Sequence, residues 1–145
     1  MKKRILASVL VLVMLICLLP VTAIADGNEG WEVNDAAETV TIYNAEGLRA
    51  WAKSITEGPV TDPNYGCTRY DGFTVSIENN IDLSGADWTS IIGLGGKIMI
   101  DGNGYTISNM RIKDQKNSKD GKYTFLGFIG HIAYGTRLTI KNITF

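Results

Sequence analysis

The sequence predicts an all-β fold, a parallel β-helix (solenoid) of about three coils with a short N-terminal capping helix. Three segments carry this prediction, because each has alternating apolar residues followed at once by a charged residue and Asn or Gly: residues 73–85, 97–109 and 137–145. Alignment of Ile77, Ile100 and Ile140 gives steps of 23 and 40 residues, and the larger step contains a Lys-rich loop and a further apolar strand. A unit of about 23 residues that loops can extend fits one turn of a β-solenoid.

The short strands of each unit are separated by Asn and Gly, which tolerate left-handed backbone angles and therefore favour corners. In the second unit the corners are predicted at Gly102, Asn103, Gly104 and Asn109. An antiparallel sandwich of hairpins remains an alternative, because short alternating strands with Gly turns suit it as well. The chain stops inside a strand pattern at Phe145. We therefore expect a truncated solenoid, to which further coils of a longer protein would be joined.

The first 25 residues predict a secretory signal peptide. A basic start is followed by the apolar residues 5–19 and by an Ala-Ile-Ala site that ends at Ala25. A retained membrane anchor is the alternative, but the uninterrupted apolar run is shorter than the roughly 20 residues of a spanning helix. A lipoprotein is disfavoured because Ile16 precedes Cys17. We expect a secreted or cell-surface protein without a membrane segment after cleavage.

Composition excludes several classes of partner and site. Without the signal peptide, eleven Lys and Arg stand against fifteen Asp and Glu, a formal charge of about −4. This acidic balance argues against nucleic acid as a partner. Cys17 leaves with the signal peptide, so Cys67 is the only remaining thiol and forms no internal disulfide. Cysteine-ligated zinc is excluded for the same reason, and no cofactor is predicted.

The mature chain is predicted to begin with a flexible leader at residues 26–38, which are polar and contain Gly. An N-terminal strand and a capping helix occupy residues 39–56. A loop with two prolines follows at residues 57–72, and the coils occupy residues 73–145.

The capping helix is predicted from a cap residue and an apolar stripe. Asn44 can accept a hydrogen bond from the first turn. Leu48, Trp51 and Ile55 follow at helical spacing and share one face. Because such a one-sided helix must bury its stripe, we expect these three side chains to cover the open end of the coils.

The segment DGNG, which begins at Asp101, permits a calcium loop or a plain corner. Asp101 and Asn103 suit positions 1 and 3 of a helix-loop-helix calcium site. Tyr105, Thr106 and Ile112 stand where that loop needs an oxygen ligand, a glycine and a bidentate glutamate. A corner between two strands is therefore predicted.

Other candidate site residues have weak support. In the aligned units Glu78, Asp101 and Lys141 share one position. A metal ion between Glu78 and Asp101 is conceivable, but an exposed ladder of charges is the favoured interpretation. His131 has no nearby Ser, Cys or acidic residue in sequence, and Cys67 has no His in its own loop. No catalytic residue is predicted.

Aromatic residues are the candidates for contact with sugars. Tyr65 and Tyr70 lie in the predicted loop and are weak candidates for ligand binding. Trp31, Trp51 and Trp88 could stack on sugar rings, although core packing is the favoured role of Trp51 and Trp88.

Five segments occur in a characteristic order: NAEGLRAWA at 44–52, NNIDLSGADWT at 79–89, IDGNGYTISNM at 100–110, GFIG at 127–130 and IKNITF at 140–145. Together they resemble the N-terminal module of secreted bacterial surface proteins with right-handed parallel β-helices of the pectate-lyase-like superfamily, including those with GLUG-type repeats. Phe128 and Ile129 stand where that family usually has Leu and Phe, and the loop at residues 57–71 is a further departure.

The resemblance implies a surface-exposed or secreted scaffold for adhesion or for binding glycans or host and cell-surface polymers. It implies no catalytic activity and no cofactor for this stretch. The alternative is the N-terminal fragment of a polysaccharide lyase or glycoside hydrolase of the same superfamily. Lyases of that superfamily use clustered carboxylates that bind calcium, together with an Arg or Lys base, and here only Glu78 and Asp101 suggest such a cluster.

Overall fold

The computed structural model describes residues 30–59, 66–112 and 126–145. Within these residues the chain forms a small mixed α/β domain with one helix, α1, at Ala45–Thr56. The strands are, in chain order, β1 Trp31–Asn34, β2 Thr39–Ile42, β3 Thr74–Ile77, β4 Ile81–Asp82, β5 Ile91–Leu94, β6 Lys97–Asp101, β7 Ile107–Ser108, β8 Ile129–Ile132 and β9 Arg137–Lys141. The predicted signal peptide and Tyr65 lie outside the described residues.

Three sheets make up the β part of the domain. The main sheet has the strand order β1-β2-β3-β6-β9, with β1 antiparallel to β2 and the other four strands parallel to one another. Two separate parallel pairs, β4-β7 and β5-β8, form the small sheets. In the part of the chain that the structure describes, these strands do not close into a solenoid. The predicted all-β parallel β-helix of about three coils is therefore wrong.

The repeat that suggested coils has its physical origin in the main sheet. Four parallel strands bring the same alternating pattern side by side, so that Val40, Val75, Ile100 and Ile140 form one row across the sheet. Alternation of apolar and polar residues along a strand indicates that one face of the strand is buried. It does not report how many strands pair, and it contains no information about the antiparallel β1 or the packing of α1.

The alignment of Ile77 with Ile100 is wrong by two residues. The partner of Ile100 is Val75, and the partner of Asp101 is Ser76 instead of Glu78. Ile100 does pair with Ile140. A shift of two residues leaves every side chain on the same face of its strand, so the alternation of apolar and polar residues cannot detect it.

The helix α1 lies within the residues where the sequence predicts one. Asn44 has extended backbone angles, and its side-chain oxygen accepts a hydrogen bond from the Gly47 N–H at 2.8 Å. This bond satisfies one of the four backbone donors that a helix leaves open at its start. Leu48, Trp51 and Ile55 are buried, and α1 packs against β5 and β1. These residues are part of the domain core. Because the described strands form no coils, the predicted role of these residues as a cap on coils is wrong.

The strand β1 lies inside the range that was expected to be a flexible leader. Trp31 is buried, and Val33 is half-buried beside Val40 on β2. The sequence gives little sign of this strand, because it is four residues long and Glu32 and Asn34 alternate with only two apolar residues. The burial of Trp31 and Val33 depends on β2 and α1, which lie next to β1 in space.

Candidate functional site

The outward face of the main sheet carries polar and charged side chains, because alternate residues of each strand point away from the core. Two rows cross the four parallel strands on this face. The first row is Thr39, Thr74, Met99 and Thr139, and the second is Thr41, Ser76, Asp101 and Lys141. Hydroxyl groups therefore recur on neighbouring strands, about 4.8 Å apart.

An open groove of about 220 Å³ crosses β3, β6 and β9 on this face, and we call it the sheet groove. Its outward side chains are Thr74, Lys97, Met99, Arg137 and Thr139. Lys97 and Arg137 are partners in the strand register, so their Cα atoms lie on adjacent strands. The groove thus combines two cations, two hydroxyl groups and a thioether.

The two cations of the sheet groove are exposed, and neither forms an ion pair within the described residues. Two acids lie at its rim. Asp71 accepts a hydrogen bond from the backbone N–H of Lys97 at 2.7 Å, and the Glu38 carboxylate lies near Gly72. Among the described residues no carboxylate pairs with the Lys97 ammonium or the Arg137 guanidinium, so their hydrogen-bond donors can serve a ligand.

A second groove, of about 270 Å³, lies between α1 and residues 86–89, and we call it the helix groove. The Arg49 guanidinium beside it donates to the carbonyl oxygens of Leu83, Ala86 and Asp87 at 3.0, 2.8 and 2.8 Å. Its cation is therefore already engaged in holding α1 to the segment after β4.

The remaining charges of the helix groove are also engaged. Lys53 pairs with Glu57 at 3.6 Å, and Asp87 pairs with Arg111. Trp88 lines this groove but is only 1% exposed, and its indole N–H donates to the Phe128 carbonyl oxygen at 3.1 Å. A buried indole offers little surface on which a sugar ring can stack. The sheet groove is therefore the better candidate site.

Asp101 is held by a network at the end of β6. Its Oδ1 accepts hydrogen bonds from the Asn103 backbone N–H at 3.0 Å and from the Asn142 side-chain amide at 3.1 Å. Its Oδ2 lies 3.0 Å from the Lys141 Nζ. The bond from the Asn103 backbone, followed by those from Lys141 and Asn142, lowers the pKa of Asp101. Donors therefore already surround this carboxylate.

Asn103 donates to both Glu78 and Asp101, to Glu78 from its side-chain amide and to Asp101 from its backbone N–H. The Asn103 amide nitrogen lies 2.8 Å from the Ser76 hydroxyl and 3.1 Å from the Glu78 carboxylate. Ser76 also donates to Glu78 at 2.6 Å. Among the described residues, no three His, Cys, Asp or Glu side chains form a group that could hold a metal ion. No metal was predicted here, and Glu78 and Asp101 stay untested as candidate ligands.

Of the residues predicted at corners, Asn103 and Gly104 lie in the turn after β6, and Asn109 directly follows β7. Asn103, Gly104 and Asn109 all have positive φ, at 49°, 84° and 56°. Gly102, at the start of its turn, accepts a hydrogen bond from the Tyr105 N–H at 2.7 Å. The Asn109 side-chain amide donates to the Asp82 carboxylate at 2.9 Å, and this bond is the main cause of the lowered pKa of that carboxyl.

The aromatic candidates described by the structure are in the core. Tyr70 is 1% exposed, and its hydroxyl oxygen lies 2.9 Å from that of Ser54. Trp51 and Trp88 are buried to a similar extent. Trp31 is nearly as buried as these. The ligand role of Tyr70 stays a prediction, and it would require the core to open.

The two residues with reactive groups lie apart from the sheet groove. His131 is exposed on β8. Cys67 has a buried, free thiol, and its backbone forms an isolated β-bridge with Leu94. Sequence reasoning missed Lys97 and Arg137, although a usable signal exists. The alignment of Ile100 with Ile140, extended three residues back along both strands, brings Lys97 beside Arg137.

The described residues thus define a small mixed α/β domain with an open groove that carries two cations on a sheet face. No protein-family model matches this chain, and neither the curated proteins nor the solved structures include a significant match to it. Within the described part of the chain, α1 is too short and too polar to cross a membrane.

Proposed function

We propose that this chain is a secreted or cell-surface module that binds glycans, without catalytic activity of its own, and that the sheet groove is its binding site. One observation carries the proposal: Lys97 and Arg137 stand side by side with the hydroxyl groups of Thr74 and Thr139 in one open groove. The role of a glycan-binding surface module is also what the resemblance in sequence implies.

The chemistry of the groove fits a sugar that carries an acidic group. Thr74 and Thr139 can both donate and accept hydrogen bonds, as sugar hydroxyls do. Arg137 can bind a carboxylate or sulfate with two parallel hydrogen bonds, and Lys97 adds a second positive charge. Met99 lies between the two threonines in the strand register and offers apolar surface to the C–H groups of a sugar ring.

The test is a binding titration with acidic and neutral oligosaccharides, preceded by a glycan array to choose them. The 145-residue chain is expressed for export and purified. We expect the acidic ligands to bind, and Arg137→Gln or Lys97→Gln to weaken binding at least about tenfold, because each removes a charge-assisted hydrogen bond. Lys53→Gln, which removes an exposed cation beside the helix groove, is the matched control and should bind as the wild type does.

Three results would contradict the proposal. A blank array removes the glycan-binding function. If Lys53→Gln weakens binding and Arg137→Gln leaves it unchanged, the binding site is the helix groove. Turnover of a bound oligosaccharide by the purified chain contradicts the absence of catalytic activity.

A further inference from the structure

The main sheet has two open edges. In the described residues, β1 pairs only with β2 and β9 pairs only with β6. An unpaired strand edge presents backbone N–H and C=O groups to which another strand can bind. On β9 the Arg137 N–H and the Lys141 C=O bond towards β6, so by alternation the backbone groups of Leu138 and Ile140 point to the open side. The start of β1 is covered by α1, which leaves its stretch from Glu32 to Asn34 for pairing.

The rows of the sheet begin and end with complementary residues. An outward row begins with Glu32 on β1, crosses Thr41, Ser76 and Asp101, and ends with Lys141 on β9. One row therefore starts with a negative charge and ends with a positive one. The same row order in a second copy would place Glu32 of that copy beside Lys141.

The two neighbouring rows are complementary as well. The inward row begins with Val33 and ends with Ile140, and Ile140 is 41% exposed. The other outward row begins with Asn34 and ends with Thr139. Continuation of the sheet would thus bury Ile140 against a valine and pair two uncharged polar side chains. Pairs of this kind directly opposite each other stabilise neighbouring strands.

We propose that the β9 edge binds the β1 edge of a second copy of this chain, with Lys141 opposite Glu32, Ile140 opposite Val33 and Thr139 opposite Asn34. The contact joins two different surfaces, so an open assembly always ends in one free β1 edge and one free β9 edge, to which further copies can bind. Pairing between two β9 strands is less favourable, because an antiparallel pair centred on Thr139 sets Arg137 opposite Lys141 at both ends. The proposal does not rest on glycan binding, and Thr139 is the one residue of this contact that also lines the sheet groove.

The test is sedimentation velocity of the exported, purified chain over a range of concentrations. We expect the average mass to rise past that of a dimer without a plateau, and to fall when salt screens the charge pair. Glu32→Lys sets two cations opposite each other and should weaken association about tenfold. Lys141→Glu should do the same, and the double variant with both changes should restore association. Glu57→Lys makes the same change of charge at the end of α1 and should associate as the wild type does.

Circular dichroism confirms that each variant is folded, since Lys141→Glu also places a carboxylate beside Asp101. Should that variant not fold, Ile140→Lys provides a second substitution on the β9 edge and is expected to weaken association as well. A monomer at all concentrations overturns the proposal. A dimer that forms a plateau, or association that Glu32→Lys leaves unchanged, also overturns it.

Discussion

Asp101 is the residue at which the ends of two strands and a turn meet. Its carboxylate binds the backbone of Asn103 within its own turn, and the side chains of Lys141 and Asn142 on the next strand and beyond. Asp101 needs its negative charge for all three donors to bind well, since a protonated carboxyl loses acceptor capacity. The lowered pKa of Asp101 expresses this dependence.

Asp101 should make the stability of the domain depend on pH in the acid range. A carboxyl whose folded pKa lies below its ordinary value of 3.8 stabilises the fold above that value, and the contribution is lost as the pH falls through the folded pKa. Asp101→Asn should therefore lower the melting temperature at neutral pH, and the difference from wild type should shrink as the pH falls below 3.8.

The measurement is a series of thermal melts followed by circular dichroism. Asp35→Asn, an exposed residue in the turn between β1 and β2, is the control and should show a smaller difference at neutral pH. A gap between wild type and Asp101→Asn that stays constant down to strongly acid pH would show that the charge of Asp101 does not act in this way.

At the scale of elements, Arg49 joins α1 to the segment that follows β4. The guanidinium has five N–H donors in a fixed planar arrangement, and here they reach three backbone carbonyl oxygens. Backbone carbonyls outside a helix or sheet need such partners when water is partly excluded. The bonds of Arg49 therefore help to position the helix, in addition to the packing of its apolar stripe.

Arg49→Met should destabilise the domain by about 1–2 kcal/mol, because it keeps the apolar stem of the side chain and leaves the three carbonyls without their donor. Lys53→Met, on the same helix, breaks only an exposed ion pair and should change the free energy of unfolding by less than about 0.5 kcal/mol. Urea denaturation of both variants measures the difference. Equal effects of the two substitutions would exclude a special role of Arg49.

At the scale of the whole molecule, one core joins the helix to all three sheets. Its members include Trp51 on α1, Val75 in the main sheet, Ile81 on β4 and Leu94 on β5. Trp88 stacks on Phe128 with 5.2 Å between ring centroids, which joins the segment after β4 to the start of β8. A shared core of this kind favours unfolding in one step.

We expect the unfolding curves from tryptophan fluorescence and from far-ultraviolet circular dichroism to coincide. Trp51 and Trp88 are buried, so their emission should shift to longer wavelength when the core opens, while circular dichroism follows α1 and the strands. Domains of fewer than about 150 residues usually unfold in a single transition. Separate midpoints in urea would mean that part of the core opens before the rest.

The sequence pattern predicted strands and the helix better than it predicted their assembly. Asn44 and the spacing of Leu48, Trp51 and Ile55 are local features, and α1 lies where they predict it. The pairing of Val75 with Ile100 could not be read from alternation, because a slip of two residues preserves the buried face. Resemblance to β-helical proteins added a solenoid that the described strands do not form.

The candidate site also depends on contacts between distant segments, which local sequence patterns do not predict. Lys97 and Arg137 are 40 residues apart in sequence and become neighbours only through the pairing of β6 with β9. Tyr70 lies in the segment that was predicted to be a loop, yet its ring is packed against Trp51 and Phe73 in the core. Exposure is a property of the packed molecule, so residue type alone did not separate these cases.

What the sequence by itself determined is local: which residues alternate, where Asn and Gly permit turns, and which face of α1 is apolar. The tertiary structure alone decided that β1 joins the sheet, that Asp101 lies beside Ser76, and that Gly102 must stay small. A Cβ atom on Gly102 would lie 2.5 Å from the Asn142 carbonyl oxygen. The physical reason is range, because propensity and alternation act over a few residues, whereas register, burial and close approach arise between segments that meet only on folding.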